Sequence, residues 1–122
     1  MRFALHIGRC LLRYRKMRYR EPAQVTSPQD LVEIIEIVHD GGEESFSIAR
    51  VLWNEVPRFG IRWNVGQREW DVPEKQNEAI ECLGVPTSSG HPVWFILPDE
   101  FLDRENGIWK ALEKSSLKEG NL

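Results

Sequence analysis

The side chains with the greatest chemical potential in this sequence are arginines and aromatics crowded into one short stretch. Four arginines fall within residues 50–68, which contain a single acid, Glu55. Guanidinium groups bind phosphates and aromatic faces stack bases, and a β-sheet displays both at regular spacing. The pattern therefore nominates five side chains for a binding surface: Arg50, Trp53, Arg62, Trp63 and Asn64.

The same residue types have three interpretations. They are typical of a single-stranded nucleic-acid site on a sheet face. They are also typical of protein interfaces, where tryptophan and arginine are enriched among the residues that matter most for affinity. A tryptophan on a strand also commonly belongs to the core, with an arginine stacked on its ring. We favour a protein partner or a homodimer formed through a sheet edge or a helix, and keep single-stranded nucleic acid as the alternative.

Catalytic and metal-binding patterns are absent from the sequence. His6, His39 and His91 lie on separate segments, and a metal site needs further ligands close by. Ser88-Ser89-Gly90 lacks the glycine-flanked serine of a nucleophile elbow, and no phosphate-binding glycine loop is found. We therefore predict no catalytic residue, no metal and no cofactor, and a non-enzymatic binding module is favoured over an enzyme.

Composition indicates an ordinary globular protein. The chain has 122 residues, of which 41% are hydrophobic and 29% are charged, and this fits one domain. No run of about 18 apolar residues exists, so we expect no membrane contact. Cys10 and Cys82 are far apart and in no metal spacing. This usage favours free thiols and a cytoplasmic location over a disulfide between the two.

Charge divides the chain unevenly. Residues 1–20 carry seven basic side chains and no acid, whereas residues 21–122 hold nine basic and nineteen acidic groups, a balance of 9 − 19 = −10. The basic head is open to four interpretations: a nucleic-acid or anionic-surface arm, a tail, an amphipathic helix on the domain's own acidic surface, or upstream sequence preceding a start at Met17. We assign 1–28 to a basic tail and linker, 29–114 to a single α+β domain, and 115–122 to a polar C-terminal tail.

Alternation and turn signals predict three consecutive strands. β-Branched residues favour a strand over a helix for Leu31–His39, which ends at the hairpin signal Asp40-Gly41-Gly42. Phe46–Trp53 and Arg58–Asn64 alternate in hydrophobicity and are joined by a short connection containing Pro57. We expect the core face of these two strands to comprise Phe46, Ile48, Phe59 and Ile61.

The rest of the chain predicts an insertion, a fourth strand and a helix. Glycine and proline punctuate residues 65–90, with a short helix over Pro73–Leu83, and the apolar run His91–Leu97 is typical of a covered strand. An apolar stripe after Asp99 predicts a helix divided at Asn106-Gly107. The predicted fold is α+β: an antiparallel four-stranded sheet, a meander with an insertion before the last strand, covered by a C-terminal helix.

Two resemblances accompany these patterns. Ile61-Arg62-Trp63-Asn64, followed later by Gly90-His91-Pro92-Val93-Trp94-Phe95-Ile96-Leu97-Pro98, resembles a group of short, uncharacterised bacterial proteins over Val32 to Pro98, which implies no established activity. The order of four strands and a helix is similar in topology to PC4-like single-stranded-DNA-binding proteins. Arg50-Val51-Leu52-Trp53-Asn54 and Gly60-Ile61-Arg62-Trp63 bring out this likeness, and the insertion at 65–90 departs from it.

Overall fold

The computed structural model describes residues 17–119, with side chains over residues 17–115. The expectations for the basic head before Met17, and for His6 and Cys10, lie outside these residues. The main sheet has four antiparallel strands in the order β1-β2-β3-β6. These strands are β1 (Val32–Asp40), β2 (Phe46–Trp53), β3 (Val56–Trp63) and β6 (Phe95–Leu97).

Short elements fill the connections around this sheet. Two two-residue strands, β4 (Thr87–Ser88) and β5 (His91–Pro92), pair antiparallel in a small hairpin of their own. The helices are α1 (Pro73–Gln76) and α2 (Ile108–Glu119), and 3₁₀ turns span Pro22–Gln24, Gln67–Asp71 and Asp99–Leu102. The predicted α+β class, with its four-stranded meander and C-terminal helix, is confirmed.

Several element boundaries differ from the sequence expectation. β3 begins at Val56, because only Asn54 and Glu55 connect it to β2, both with positive φ (51° and 69°) as in a type I′ hairpin turn. The helix expected over Pro73–Leu83 ends at Gln76. The expected strand His91–Leu97 is split into β5 and β6, because Trp94 between them turns into the core.

The core lies on one side of the sheet, which we call the inner face. Its buried residues are Val25, Val32, Ala49, Val51 and Trp94. The Trp94 indole Nε1 donates a 2.7 Å hydrogen bond to the Val25 carbonyl oxygen. A Cβ at Gly60 would lie 2.9 Å from the Trp94 Cβ, so the indole packs where β3 has no side chain.

The predicted core face of β2 and β3 is wrong. Phe46, Ile48, Phe59 and Ile61 are only half-buried and lie on the opposite side, which we call the outer face. The fully buried positions of β2 are Ser47, Ala49 and Val51. The reason is steric: the Trp94 indole fills much of the inner layer, so this face accepts small side chains from the strands beneath it.

Two segments pack differently from the expectation of a tail and a covering helix. The segment assigned to a linker joins the folded domain, since Met17 is 2% exposed and Val25 is fully buried. The apolar side chains of α2 stay exposed, at 68% for Trp109 and 50% for Leu112. The inner face is therefore covered by Trp94 and the segment around Val25.

We predict that Glu55→Gly stabilises the fold. Glu55 has φ of 69°, a conformation that costs a residue with a Cβ about 1 kcal/mol and glycine almost nothing. The free energy of unfolding, measured by urea denaturation, should rise by about 0.5–1 kcal/mol. Glu55→Ala, which removes the carboxylate and keeps the Cβ, should show no such gain. An equal gain in both variants would contradict the explanation.

Candidate functional site

The sheet separates the five residues nominated for a binding surface. Arg50 and Trp63 point to the outer face, where Trp63 is 54% exposed. Arg62 and Asn64 are each 3% exposed and lie on the inner side of β3. Trp53 is half-buried at the edge of the core. Alternation along β3 makes this separation unavoidable, because neighbouring residues of a strand face opposite sides.

Arg62 is a buried cation held by backbone carbonyl oxygens. Its Nη1 donates to the carbonyls of Val93 and Pro86, and its Nη2 donates to the carbonyl of Leu83. The guanidinium carbon also lies 6.0 Å from the centre of the Trp94 ring. Burial lowers the pKa of Arg62 to about 10, although the nearby Glu69 carboxylate opposes this shift. The side chain therefore remains charged at neutral pH and fixes the insertion against the sheet.

Gly84 allows the insertion to approach this close. Its φ is 72°, and a Cβ there would lie 2.2 Å from the Trp63 carbonyl oxygen. Trp63 and Val85 also exchange backbone hydrogen bonds of 2.8 and 3.1 Å. A side chain at position 84 would therefore push the insertion away from β3 and break the contacts of Arg62.

Asn64 belongs to a second polar cluster at the hairpin between β1 and β2. Its Nδ2 donates to the Gly42 carbonyl (2.8 Å) and its Oδ1 accepts from Ser47 Oγ (2.7 Å). The Asp40 carboxylate in turn accepts from Asn64, and from the hydroxyl of Tyr19 at 2.8 Å. Burial and this bond raise the pKa of Tyr19 to about 12. Asn64 therefore has its polar atoms satisfied inside the fold, as a structural residue does.

Glu69 is the main acceptor of the insertion. Its carboxylate accepts from the backbone N–H groups of Gly66, Leu83 and Gly84 (2.7–2.9 Å) and from Lys75 Nζ at 2.6 Å. Burial by itself would raise the pKa of Glu69, but the Lys75 bond and the three N–H bonds outweigh it and lower the pKa. The ionised form is thus the one built into the structure. No sequence motif pointed to this residue.

The outer face is the candidate binding surface, and it is mainly apolar. Phe46 lies opposite Trp63, Ile48 opposite Ile61, and Phe95 of β6 extends the row beside Ile61. The Phe46 and Trp63 rings meet edge to face, with centroids 6.2 Å apart. Phe95 is 60% exposed. We define the outer face by the side chains Phe46, Ile48, Arg50, Leu52, Phe59, Ile61, Trp63 and Phe95.

Charges on this face are few and of both signs. The guanidinium carbon of Arg50 lies 5.7 Å from the centre of the Phe59 ring. Glu36 of β1 lies opposite Arg50 in the strand register, and Glu33 lies opposite Leu52. The two other nominated polar residues, Arg62 and Asn64, are on the far side of the sheet. The outer face therefore offers apolar and aromatic contact area rather than a positive track.

Two cavities open at the surface of the described part of the chain. The larger, of about 720 Å³, lies between Trp63 and Trp70, and its walls include Glu43, Val65 and Val85. The smaller, of about 460 Å³, includes Trp53 and the Arg58–Asp99 ion pair (2.9 Å). Neither brings together a nucleophile and a base. Sequence reasoning missed the larger cavity because its walls come from distant segments.

Metal and membrane patterns were searched over residues 17–119. Within that range, no group of three or more histidine, cysteine, aspartate or glutamate side chains could hold a metal ion. No helix in the same range has the length and apolar character needed to cross a membrane. Cys82 is a buried free thiol, and burial raises its pKa to about 11, which makes it a poor nucleophile.

Comparison with known proteins adds no relative. The chain matches no protein-family model, no curated protein and no solved structure. The two resemblances drawn from sequence motifs and topology therefore stay predictions, and function has to be argued from the geometry above.

We predict that Arg62→Met strongly destabilises the protein whereas Arg50→Met does not. Removing the Arg62 guanidinium leaves three backbone carbonyls without its N–H groups, which should cost about 2–4 kcal/mol. Arg50 is exposed, so its loss should change stability by about 0.5 kcal/mol or less. Urea denaturation of the two variants checks this. Equal effects would show that Arg62 has no special structural role.

We also predict that Glu69→Gln reduces acid sensitivity. A carboxyl with a lowered pKa stabilises the fold above its ordinary value of 4.5, and this contribution is lost as pH falls through the folded-state pKa. The variant should be less stable at neutral pH and should lose less further stability below about pH 4.5. Denaturation midpoints from about pH 7 to pH 3 measure this. Glu74→Gln, an exposed control on α1, should keep the wild-type pH dependence.

Proposed function

We propose that this chain is a non-enzymatic binding module that contacts protein through its outer face, in the simplest case by self-association of two copies. The observation that carries the proposal is the contiguous apolar area of this face, on which Trp63 is 54% and Phe95 is 60% exposed. Large exposed apolar patches mark interaction surfaces, and aromatic side chains contribute most to interface affinity. The buried free thiol of Cys82 supports a cytoplasmic location for this activity.

The sheet face is a better contact surface than the sheet edges. β1 forms one edge and has two register irregularities, between Ile34 and Glu36 and between Ile37 and His39. Bulges and charged side chains are the features that prevent edge strands from pairing with another chain. The other edge, β6, has three residues only. An interface through the exposed side of α2 remains the competing version, since Trp109 is 68% exposed.

Single-stranded nucleic acid is the second candidate ligand. The observation in its favour is that Arg50, stacked on Phe59, shares the outer face with Trp63 and Phe95. Against it, Arg62 lies inside the fold and Glu36 is next to Arg50. Binding to phosphates needs several cations along one track, so the charge of this face supports a protein partner more strongly.

We predict that the protein dimerises and that Phe95→Arg weakens the dimer. A charge in the middle of an apolar interface has to be desolvated, so the dissociation constant should rise by about tenfold or more. Sedimentation velocity over a range of protein concentrations measures this constant. Trp109→Arg, which adds the same charge on α2, is the matched control and should leave the constant unchanged.

The outcomes of this experiment separate the candidate functions. Dissociation by Trp109→Arg alone would move the interface to α2. A wild-type protein that stays monomeric at every concentration would reject self-association. Fluorescence anisotropy with a labelled oligonucleotide at two salt concentrations tests the second candidate. Salt-sensitive binding that weakens in Arg50→Gln would support it, and no binding at micromolar protein and low salt would reject it.

A further inference from the structure

We propose that the larger cavity, between Trp63 and Trp70, is the docking site for the chain's own basic N-terminal segment, residues 1–16. This site lies beside the outer face and goes beyond the function proposed above, because its occupant belongs to the same chain. The inference stands on three observations: where the described chain begins, the charge of the two surfaces, and the chemistry of the cavity walls.

The described chain begins at the cavity wall. Met17 is 2% exposed and packs in a buried cluster with Val65, against which Trp70 also lies. The Met17 backbone N–H donates a 3.1 Å hydrogen bond to Glu43 Oε2. Val65, Trp70 and Glu43 all line the cavity. The four residues before Met17 reach at most about 14 Å, so residues 13–16 are confined to the neighbourhood of this cavity.

The charges of segment and cavity are complementary. Residues 1–16 contain no acid and five basic side chains: Arg2, Arg9, Arg13, Arg15 and Lys16. The cavity walls contain three carboxylates and a single cation, Arg68. The Glu69 carboxylate is already occupied by Lys75 and backbone N–H groups, so the negative charge left at the cavity comes from Glu43 and Glu44. Opposite charges held close together by the chain attract without the entropic cost of a bimolecular encounter.

The cavity walls suit arginine in particular. Trp63 is 54% and Val85 is 41% exposed, so both present apolar surface to an occupant. A guanidinium group stacks on an indole face, and the aliphatic part of an arginine packs on apolar side chains. The segment also contains apolar residues that could cover the exposed Val85, among them Leu11 and Leu12. An aromatic cavity with acidic walls is therefore matched by a segment rich in arginine and leucine.

Hydrogen exchange of the full chain, measured by mass spectrometry, tests the proposal. If residues 1–16 dock, amides just before Met17 should exchange about tenfold or more slowly than in a free peptide of the same sequence. Glu43→Gln combined with Glu44→Gln should restore most of the fast exchange and keeps an acceptor for the Met17 N–H. The matched control, Glu74→Gln with Glu78→Gln, changes net charge equally at exposed positions away from the cavity and should keep the protection.

Each outcome decides the proposal. Free-peptide exchange rates in the wild-type protein would overturn it. Equal protection in the two double variants would also overturn it, because docking would then not depend on the cavity. Protection that grows with protein concentration would assign the occupant to a second copy and reject docking within one chain. The Phe95→Arg variant, which tests the outer face, should leave the protection unchanged, so the two proposals can fail separately.

Discussion

The structure depends on the burial of one cation. The Arg62 guanidinium donates to the carbonyls of Leu83, Pro86 and Val93, and so one side chain fixes the long connection between β3 and β6. This connection has little regular structure of its own and could not otherwise satisfy its backbone groups. A buried cation without partners would cost several kcal/mol, so the guanidinium and the carbonyls require each other.

The position of Arg62 determines what the rest of the sheet presents to solvent. Trp94, beside the guanidinium, is placed on the inner face over Gly60, where it fills the core above small residues such as Ala49. Because β3 alternates, Trp63 must then point outward with Ile61 and Phe59. The bulky residues of β2 and β3 thus form an exposed apolar face, and this is why a protein contact is a better explanation than a phosphate contact.

A second centre organises the start of the described chain. The backbone of Arg18 and Arg20 bonds to that of Cys82, and Glu69 binds the neighbouring N–H groups of Leu83 and Gly84. The insertion is therefore held on one side by Arg62 and on the other by Glu69 and the incoming chain. The cavity beside Trp63 is formed where these groups meet, which places it next to both the outer face and Met17.

The sequence by itself determined the α+β class, the first strand, the bounds of β2 and the division of the C-terminal segment at Asn106-Gly107, because alternation, β-branching and turn residues are local properties. It also selected Arg62, Trp63 and Asn64 as unusual, but it assigned two of them to a surface. Only the tertiary structure decided which face of the sheet is buried. Both faces of β2 and β3 carry apolar residues, and the choice rests on Trp94, Val25 and the carbonyl groups around Arg62, which come from segments distant in sequence. Contacts between distant segments leave no pattern in the neighbouring residues, so the inside and the outside of this sheet could be told apart only in the folded chain.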